Sequence, residues 1–274
     1  MRIGIIGGTG QMGTLFTRVF QDAGHEVRVS GRNTTLKNPD LVLMSDLIMV
    51  SVPISSTIRV IEEIVHLLTE EQIICDLTSL KKGPVTAMLK GKAEVIGLHP
   101  MFGPTVTSLE GQTIVATPAR CSPGNQEMIL SLFSSQGARV TITDPDHHDR
   151  MMAVIQGLTH FKALVMADAM RRLGITPDET EPFMSPVYRI ESTIAGRILA
   201  QDPWLYADIL CENPAVSTVT TACLEAAADL AEIIAGHDTG AFTEWFIRDR
   251  EWFGEYCDRS QQETDRLITS MVHS

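Results

Sequence analysis

Apolar and polar positions alternate along the first half of the chain in a repeating order of short apolar runs and longer amphipathic ones. Residues 1–6, MRIGII, are apolar and β-branched and predict a strand. The segment TLFTRVFQDAG has apolar residues at helical spacing and stops at Gly24, a residue suited to end a helix. HEVRVS predicts a second strand, and DLIMVSVP predicts a buried strand ended by Pro53. STIRVIEEIVHLL predicts a helix with an apolar stripe and Ser/Thr at its start. IICDLTS, EVIGLHP and QTIVATP predict three further strands, GNQEMILSLFSSQG a helix, and RVTITD a last strand. Strands alternating with helices imply a parallel, doubly wound α/β sheet.

The pattern changes near Asp144. HHDRMMAVIQGLTHFKALVMADAMRRLG predicts one long, largely apolar helix ending at Gly174. MSPVYRIESTIAGRILA, DPWLYADILCEN, AVSTVTTACLEAAADLAEIIAGH and TGAFTEWFIRDREWFGEYCDR predict further helices, with almost no strand signal. The expected organisation is therefore an α/β domain over residues 1–145 and an all-helical domain over residues 146–274. Each is long enough to bury a core.

Composition narrows the function classes. The net charge of −12 argues against a nucleic-acid or anionic-membrane surface, since both require clustered Lys and Arg. No apolar run reaches membrane-spanning length, and the N-terminus lacks the pattern of a signal peptide. Cys75, Cys121, Cys211, Cys223 and Cys257 are scattered and lack CxxC spacing, so reduced thiols in a cytoplasmic protein are expected, without a disulfide frame or zinc site.

The chemistry begins at Gly8-Thr9-Gly10-Gln11-Met12-Gly13, a GxGxxG that follows a strand and opens an amphipathic helix. In that context it predicts a Rossmann dinucleotide site. Gly8 permits the tight turn, Gly10 lets the backbone approach the pyrophosphate, and Gly13 lets helix pack on strand. The helix N-terminus offers its N–H groups to the phosphates. The second strand ends in Val29-Ser30-Gly31-Arg32-Asn33, with no acid to accept the adenosine ribose hydroxyls of NAD. Ser30 and Arg32 are instead placed to hold a 2′-phosphate, which favours NADP over NAD. The alternative is a solvated Arg32 and NAD bound without a strong adenosine clamp.

Ligands of such a sheet sit outside the carboxyl ends of its strands. Ser51-Val52-Pro53 ends one strand, where the nicotinamide side of the cofactor would run. Asp76-Leu77-Thr78-Ser79-Leu80-Lys81 ends the next, and His99-Pro100-Met101-Phe102-Gly103-Pro104 the third. The histidine is framed by two prolines on a stiff turn. In the helical half Gln156 and His160 stand four residues apart, on one face of a regular helix. His147-His148-Asp149 has the composition of a metal cluster, but adjacent histidines on a helix diverge. It reads better as a helix N-terminal turn capped by Asp146, and no metal is expected. Trp245, Phe246, Trp252, Phe253 and Tyr256 form an aromatic group that fits a core or dimer-interface stripe better than a binding platform.

GGTGQMG, DLTSLKKGP and GLHPMFGP, in this order and spacing, resemble the prephenate dehydrogenase family. The resemblance continues through HHDRMMAVIQGLTHF and YRIESTIAGRILAQDPWLYADI, so it spans most of the chain. It is nearest to the bacterial branch in which this domain often follows a chorismate mutase segment. Since this chain opens on the first strand, no mutase domain is expected. The resemblance implies a dinucleotide-binding domain joined to a helical dimerisation domain, a homodimer, and oxidative decarboxylation of prephenate with hydride transfer to NAD(P) in tyrosine biosynthesis. By position it implies that His99 accepts the substrate hydroxyl's hydrogen bond and that Ser79 bonds both His99 and that hydroxyl. It implies that His160 lines the substrate pocket and that Arg197 binds a substrate carboxylate. One branch carries an arginine directly before the helix histidine, where this chain has Thr159. Arg189 is a second carboxylate candidate, or a structural arginine paired with Glu191 or Asp202. Arogenate or an amino-deoxy analogue is an alternative substrate. A β-hydroxyacid dehydrogenase or imine reductase shares the architecture, but generally uses a lysine in the helical half, for which Lys162 is the lone candidate on the long helix. A non-catalytic dinucleotide sensor would have no reason to retain Ser79, His99 and Arg197 together.

Overall fold

A computed structural model describes residues 1–272. Seven strands, β1 (Arg2–Ile6), β2 (Glu26–Ser30), β3 (Leu47–Val50), β4 (Ile73–Asp76), β5 (Glu94–Pro100), β6 (Thr113–Arg120) and β7 (Arg139–Ile142), form one sheet in the order β2-β1-β3-β4-β5-β6-β7. Around them run α1 (Gln11–Asp22), α2 (Asn38–Leu43), α3 (Ile54–Ile64), α4 (Lys82–Met88), α5 (Pro123–Ser134) and α6 (Pro145–Met152). The period-2 alternation of the strands builds two cores. Ile3, Ile5, Leu47, Met49, Ile73 and Cys75 face α1 and α5, where Phe16, Phe20 and Phe133 pack edge to face or tilted at 5.9–6.0 Å. Ile6, Ile48, Val50 and Ile74 face the other way, onto Val60, Ile61 and Ile64 of α3 and Val85 and Met88 of α4.

One ladder departs from the expected parallel sheet: β5 and β6 are antiparallel, while the other five neighbour pairs are parallel. The reason lies in the connection. Residues 101–112 contain no crossover helix, and a parallel pair needs one. The chain therefore turns back directly after His99 and Pro100, with Val115 opposite His99.

Contacts group Met1–Ile155 with Trp204–Ala215 as one compact unit, and Gln156–Pro203 with Val216 onward as a second. The first unit includes most of α10 (Pro203–Cys211), where Asp208 accepts the Ser55 backbone N–H at 3.0 Å. The second unit is helical: α7 (Thr159–Leu173), α8 (Pro177–Thr180), α9 (Pro186–Leu199), α11 (Ala215–Ala235), α12 (Thr239–Phe253) and α13 (Tyr256–Val272), with α9 packed on α7. Two predicted helices are interrupted. A π-helical segment, Ala153–Leu158, separates α6 from α7. Gly254, at φ 55°, separates α12 from α13 and divides the aromatic group. Gly174 ends α7 in the left-handed conformation, at φ 71°. No helix among the described residues is long and apolar enough to cross a membrane.

Candidate active site

The glycine loop is built by backbone proximity. Gly7, at φ 81°, takes the left-handed turn that the pattern had assigned to Gly8, and a Cβ there would lie 2.1 Å from the Ser51 carbonyl. The N–H groups of Gly7 and Gly8 both donate to the Ser30 carbonyl, at 2.8 and 3.1 Å, pinning the loop to the end of β2. A Cβ on Gly13 would lie 2.5 Å from the Gly7 carbonyl, so α1 rests directly on the loop backbone. A Cβ on Gly10 would meet only that carbonyl, at 3.3 Å. Gly10 caps α1 with no side-chain hydrogen bond, and no acid stands in the first turn. The cradle thus fits a dinucleotide: its outer side is open at Gly10, and the helix terminus directs N–H groups and positive potential outward. Thr9, Gln11 and Met12 complete the loop, with Thr9 against Gly31.

At the end of β2 the two phosphate candidates separate. Ser30 is fully buried and its hydroxyl bonds Asn38 Oδ1 at 2.8 Å, whereas Arg32 is exposed. Ser51 is half-buried after β3 and Pro53 precedes α3.

The ends of β4 and β5 hold a buried polar network. Lys81 and Asp76 are fully buried and form an ion pair, and Lys81 Nζ also donates to the Leu98 carbonyl at 2.7 Å. Glycine at position 97 makes room for the lysine stem, since a Cβ there would lie 3.0 Å from Lys81 Cδ. Burial lowers the Lys81 pKa, and the Asp76 carboxylate opposes that shift. Asp76 Oδ2 also accepts from the Thr78 N–H (3.1 Å) and hydroxyl (2.5 Å), which fixes the loop carrying Ser79, itself half-buried.

His99 sits at the C-terminal end of β5, 3% exposed. Its Nδ1 lies 2.9 Å from Nε2 of His148 on α6, with the rings 5.1 Å apart and steeply inclined. His148 is buried, and its Nδ1 lies 2.7 Å from Asp149 Oδ1. Asp149 also accepts the backbone N–H groups of Lys81 (2.8 Å) and Lys82 (3.0 Å), so it caps α4 from α6. Asn213 Nδ2 donates to its carbonyl at 2.8 Å. Burial, with His148 and Lys81 nearby, pushes the His99 pKa well below its ordinary value and keeps the ring neutral. Burial would raise the Asp149 pKa, but the bonds from His148, Lys81 and Lys82 hold it below the usual carboxylate range.

The reading of His147-His148-Asp149 as a helix N-terminal turn is corrected in part. The cap is Asp144, whose carboxylate accepts from the His147 N–H, while Asp146 pairs with Lys82. The two histidines do diverge: His147 is exposed and His148 turns inward to His99. Sequence reasoning missed His148 and Asp149 as neighbours of His99, because nothing local marks which of the two adjacent histidines turns inward. Among the described residues no group of His, Cys, Asp or Glu is arranged to hold a metal ion.

In the helical unit, His160 is half-buried on α7 and its pKa is lowered by burial. Gln156 lies in the π-helical segment, so the regular four-residue phase no longer relates it to His160. Arg189 and Arg197 are both exposed on α9. Glu191, one expected partner of Arg189, pairs instead with Lys162 at 3.6 Å.

A model of the prephenate dehydrogenase nucleotide-binding domain matches residues 20–142, and one of the prephenate dehydrogenase dimerization domain matches residues 144–248. A T-protein of Haemophilus influenzae is 31% identical over 97% of the chain and 71% of its own length. The chain belongs to the prephenate dehydrogenase family. Another relative within it, a probable arogenate/prephenate dehydrogenase of Methanocaldococcus jannaschii, is 31% identical over 99% of the chain. The chain spans 65% of that relative's length. The crystal structure of Synechocystis arogenate dehydrogenase shares the fold, with a TM-score of 0.73, 17% identity, and coverage of 93% of this chain and 100% of that one.

Proposed function

We propose that the protein oxidises prephenate to 4-hydroxyphenylpyruvate with loss of carbon dioxide, using NAD(P). The observation that carries this reading is a neutral, buried imidazole at the end of β5, held through Nδ1 so that Nε2 serves as the base. The bound nicotinamide supplies the hydride acceptor. His99 Nε2 takes the proton of the ring hydroxyl as the carbonyl forms, and the ring carboxylate then leaves as the ring becomes aromatic. The product's stability drives the reaction, so the protein needs chiefly to orient the substrate and exclude water. Ser79 orients the hydroxyl, Arg197 binds a carboxylate, His160 and Gln156 line the substrate site, and Arg189 is the second cation on the same helix. The working unit is a homodimer. NADP is the preferred cofactor, recognised by Arg32, since no acid follows β2 and the Ser30 hydroxyl is engaged by Asn38.

Arogenate is the second reading, favoured by the names of the archaeal relative and of the Synechocystis structure. Steady-state oxidation of prephenate and arogenate, each with NAD and NADP, tests both. The account expects prephenate with NADP to give the highest kcat/KM. Higher kcat/KM with arogenate supports the second reading, and oxidation of neither substrate overturns both.

A further inference from the structure

We infer that His148 and Asp149 form a proton relay with His99, so that the proton taken from the substrate hydroxyl is stored on His148. This rests on the reading of His99 as the base. The three groups form a hydrogen-bonded chain: Asp149 Oδ1 to His148 Nδ1 at 2.7 Å, and His148 Nε2 to His99 Nδ1 at 2.9 Å. Asp149 is an ionised acceptor, so His148 carries a hydrogen on Nδ1. A neutral His148 then presents the lone pair of Nε2, and His99 must donate its Nδ1–H. That fixes the His99 tautomer with an unprotonated Nε2, the form a base requires.

The relay also resolves an electrostatic difficulty. A proton kept on His99 would be a cation in a fully buried site beside the Lys81 ammonium. Passing a proton along the chain places the charge next to the Asp149 carboxylate instead. In the step, the substrate O–H bond breaks and an N–H bond forms at His99 Nε2. The His99 Nδ1–H bond breaks and an N–H bond forms at His148 Nε2. The substrate's C–H electron pair leaves as hydride to the nicotinamide. The charged groups around the pair are Asp149 on α6, Lys81 before α4, and Asp76 on β4, which reaches the pair through Lys81. His148 and Asp149 are positioning and relay residues; in this account they touch neither substrate nor cofactor.

Two measurements test the relay. In the full unliganded chain, ¹⁵N-histidine long-range NMR at neutral pH, assigned by the signals lost in His99→Asn, is expected to show His99 protonated on Nδ1 and bare on Nε2. A proton on His99 Nε2 overturns the relay whatever the substrate proves to be. The second measurement is the pH profile of kcat/KM for His148→Gln, whose amide oxygen can still accept the His99 Nδ1–H but cannot take up a proton. The expected result is a kcat at least about tenfold lower, part of the ~10²–10⁴ supplied by a general base. With Gln in place of His148 only the buried His99, beside Lys81, is left to take the proton, so the acid limb is expected to move to lower pH by about one unit or more. A fall in kcat with an unmoved limb reduces His148 to a packing role, and wild-type kinetics remove it altogether. If His148→Gln does not fold, the NMR result on the wild-type chain decides. If the chain oxidises neither prephenate nor arogenate, the functional reading has failed, and the NMR tautomer still tests the geometry.

Discussion

His99 is neutral because the fold withholds solvent from it and places Lys81 and His148 nearby. That arrangement has a stability signature. His99 and His160 both titrate lower in the folded chain than at their ordinary value of about 6.5, so near and below that pH the unfolded chain binds more protons. Their contribution is therefore complete above about pH 6.5 and is lost as pH falls toward the folded values. Thermal unfolding midpoints measured from pH 7.5 to 5 are expected to fall monotonically, and less steeply in His99→Asn. A flat or rising midpoint over that range would mean that these rings are not buried as neutral groups. At this scale the sequence was partly legible. The strand-end position of His99 could be read from GLHPMFGP. Its contact with His148 could not, because the two are 49 residues apart and nothing local distinguishes His148 from the solvent-facing His147.

At the scale of elements, most strands were legible because β-branched apolar runs end in turn residues, and α1, α3 and α5 because their apolar stripes are long. α2 and α4 went unread. The first is only NPDLVL, and the second begins KGP, a breaker pattern that tertiary packing overrides. The direction of β6 was hidden because connection length, not strand composition, sets it. The glycine loop gives a graded prediction. Gly13→Ala forces a Cβ to within 2.5 Å of the Gly7 carbonyl, so it is expected to displace α1 from the loop and weaken NADP binding at least about tenfold by fluorescence titration. Gly24→Ala, at φ 81° with nothing within 4 Å, is expected to cost about 1–2 kcal/mol in urea unfolding while leaving NADP binding unchanged. Equal effects of the two on binding would contradict the assignment of the loop to the cofactor.

At the scale of the molecule, the two units differ in how they bury apolar surface. In the helical unit the buried apolar side chains among the described residues are Ala163, Ala195, Ile198 and Val216. Phe246, Ile247, Phe253 and Tyr256 are exposed, and Trp252 is 88% exposed. Apolar surface of this extent, which begins inside the region matched by a dimerization domain at Phe246 and Ile247 and runs on past its end at residue 248, argues for cover by a second copy. Light scattering on the eluting protein is expected to give twice the chain mass at micromolar concentration, and a Trp252→Asp/Phe246→Asp double variant is expected to shift it toward one chain mass. A monomeric wild-type protein would contradict the dimer. The sequence showed that these aromatics cluster. It did not show that Gly254 breaks their helix, and periodicity alone could not choose between a core and an interface.

The central claim is that the imidazole of His99 removes the substrate's hydroxyl proton. The most direct measurement is the rate of nicotinamide reduction by His99→Asn with saturating prephenate and NADP, alongside NADP affinity in the same preparation. The account predicts a turnover lower by about 10²–10⁴ with affinity within about twofold of wild type. Turnover equal to wild type would contradict it.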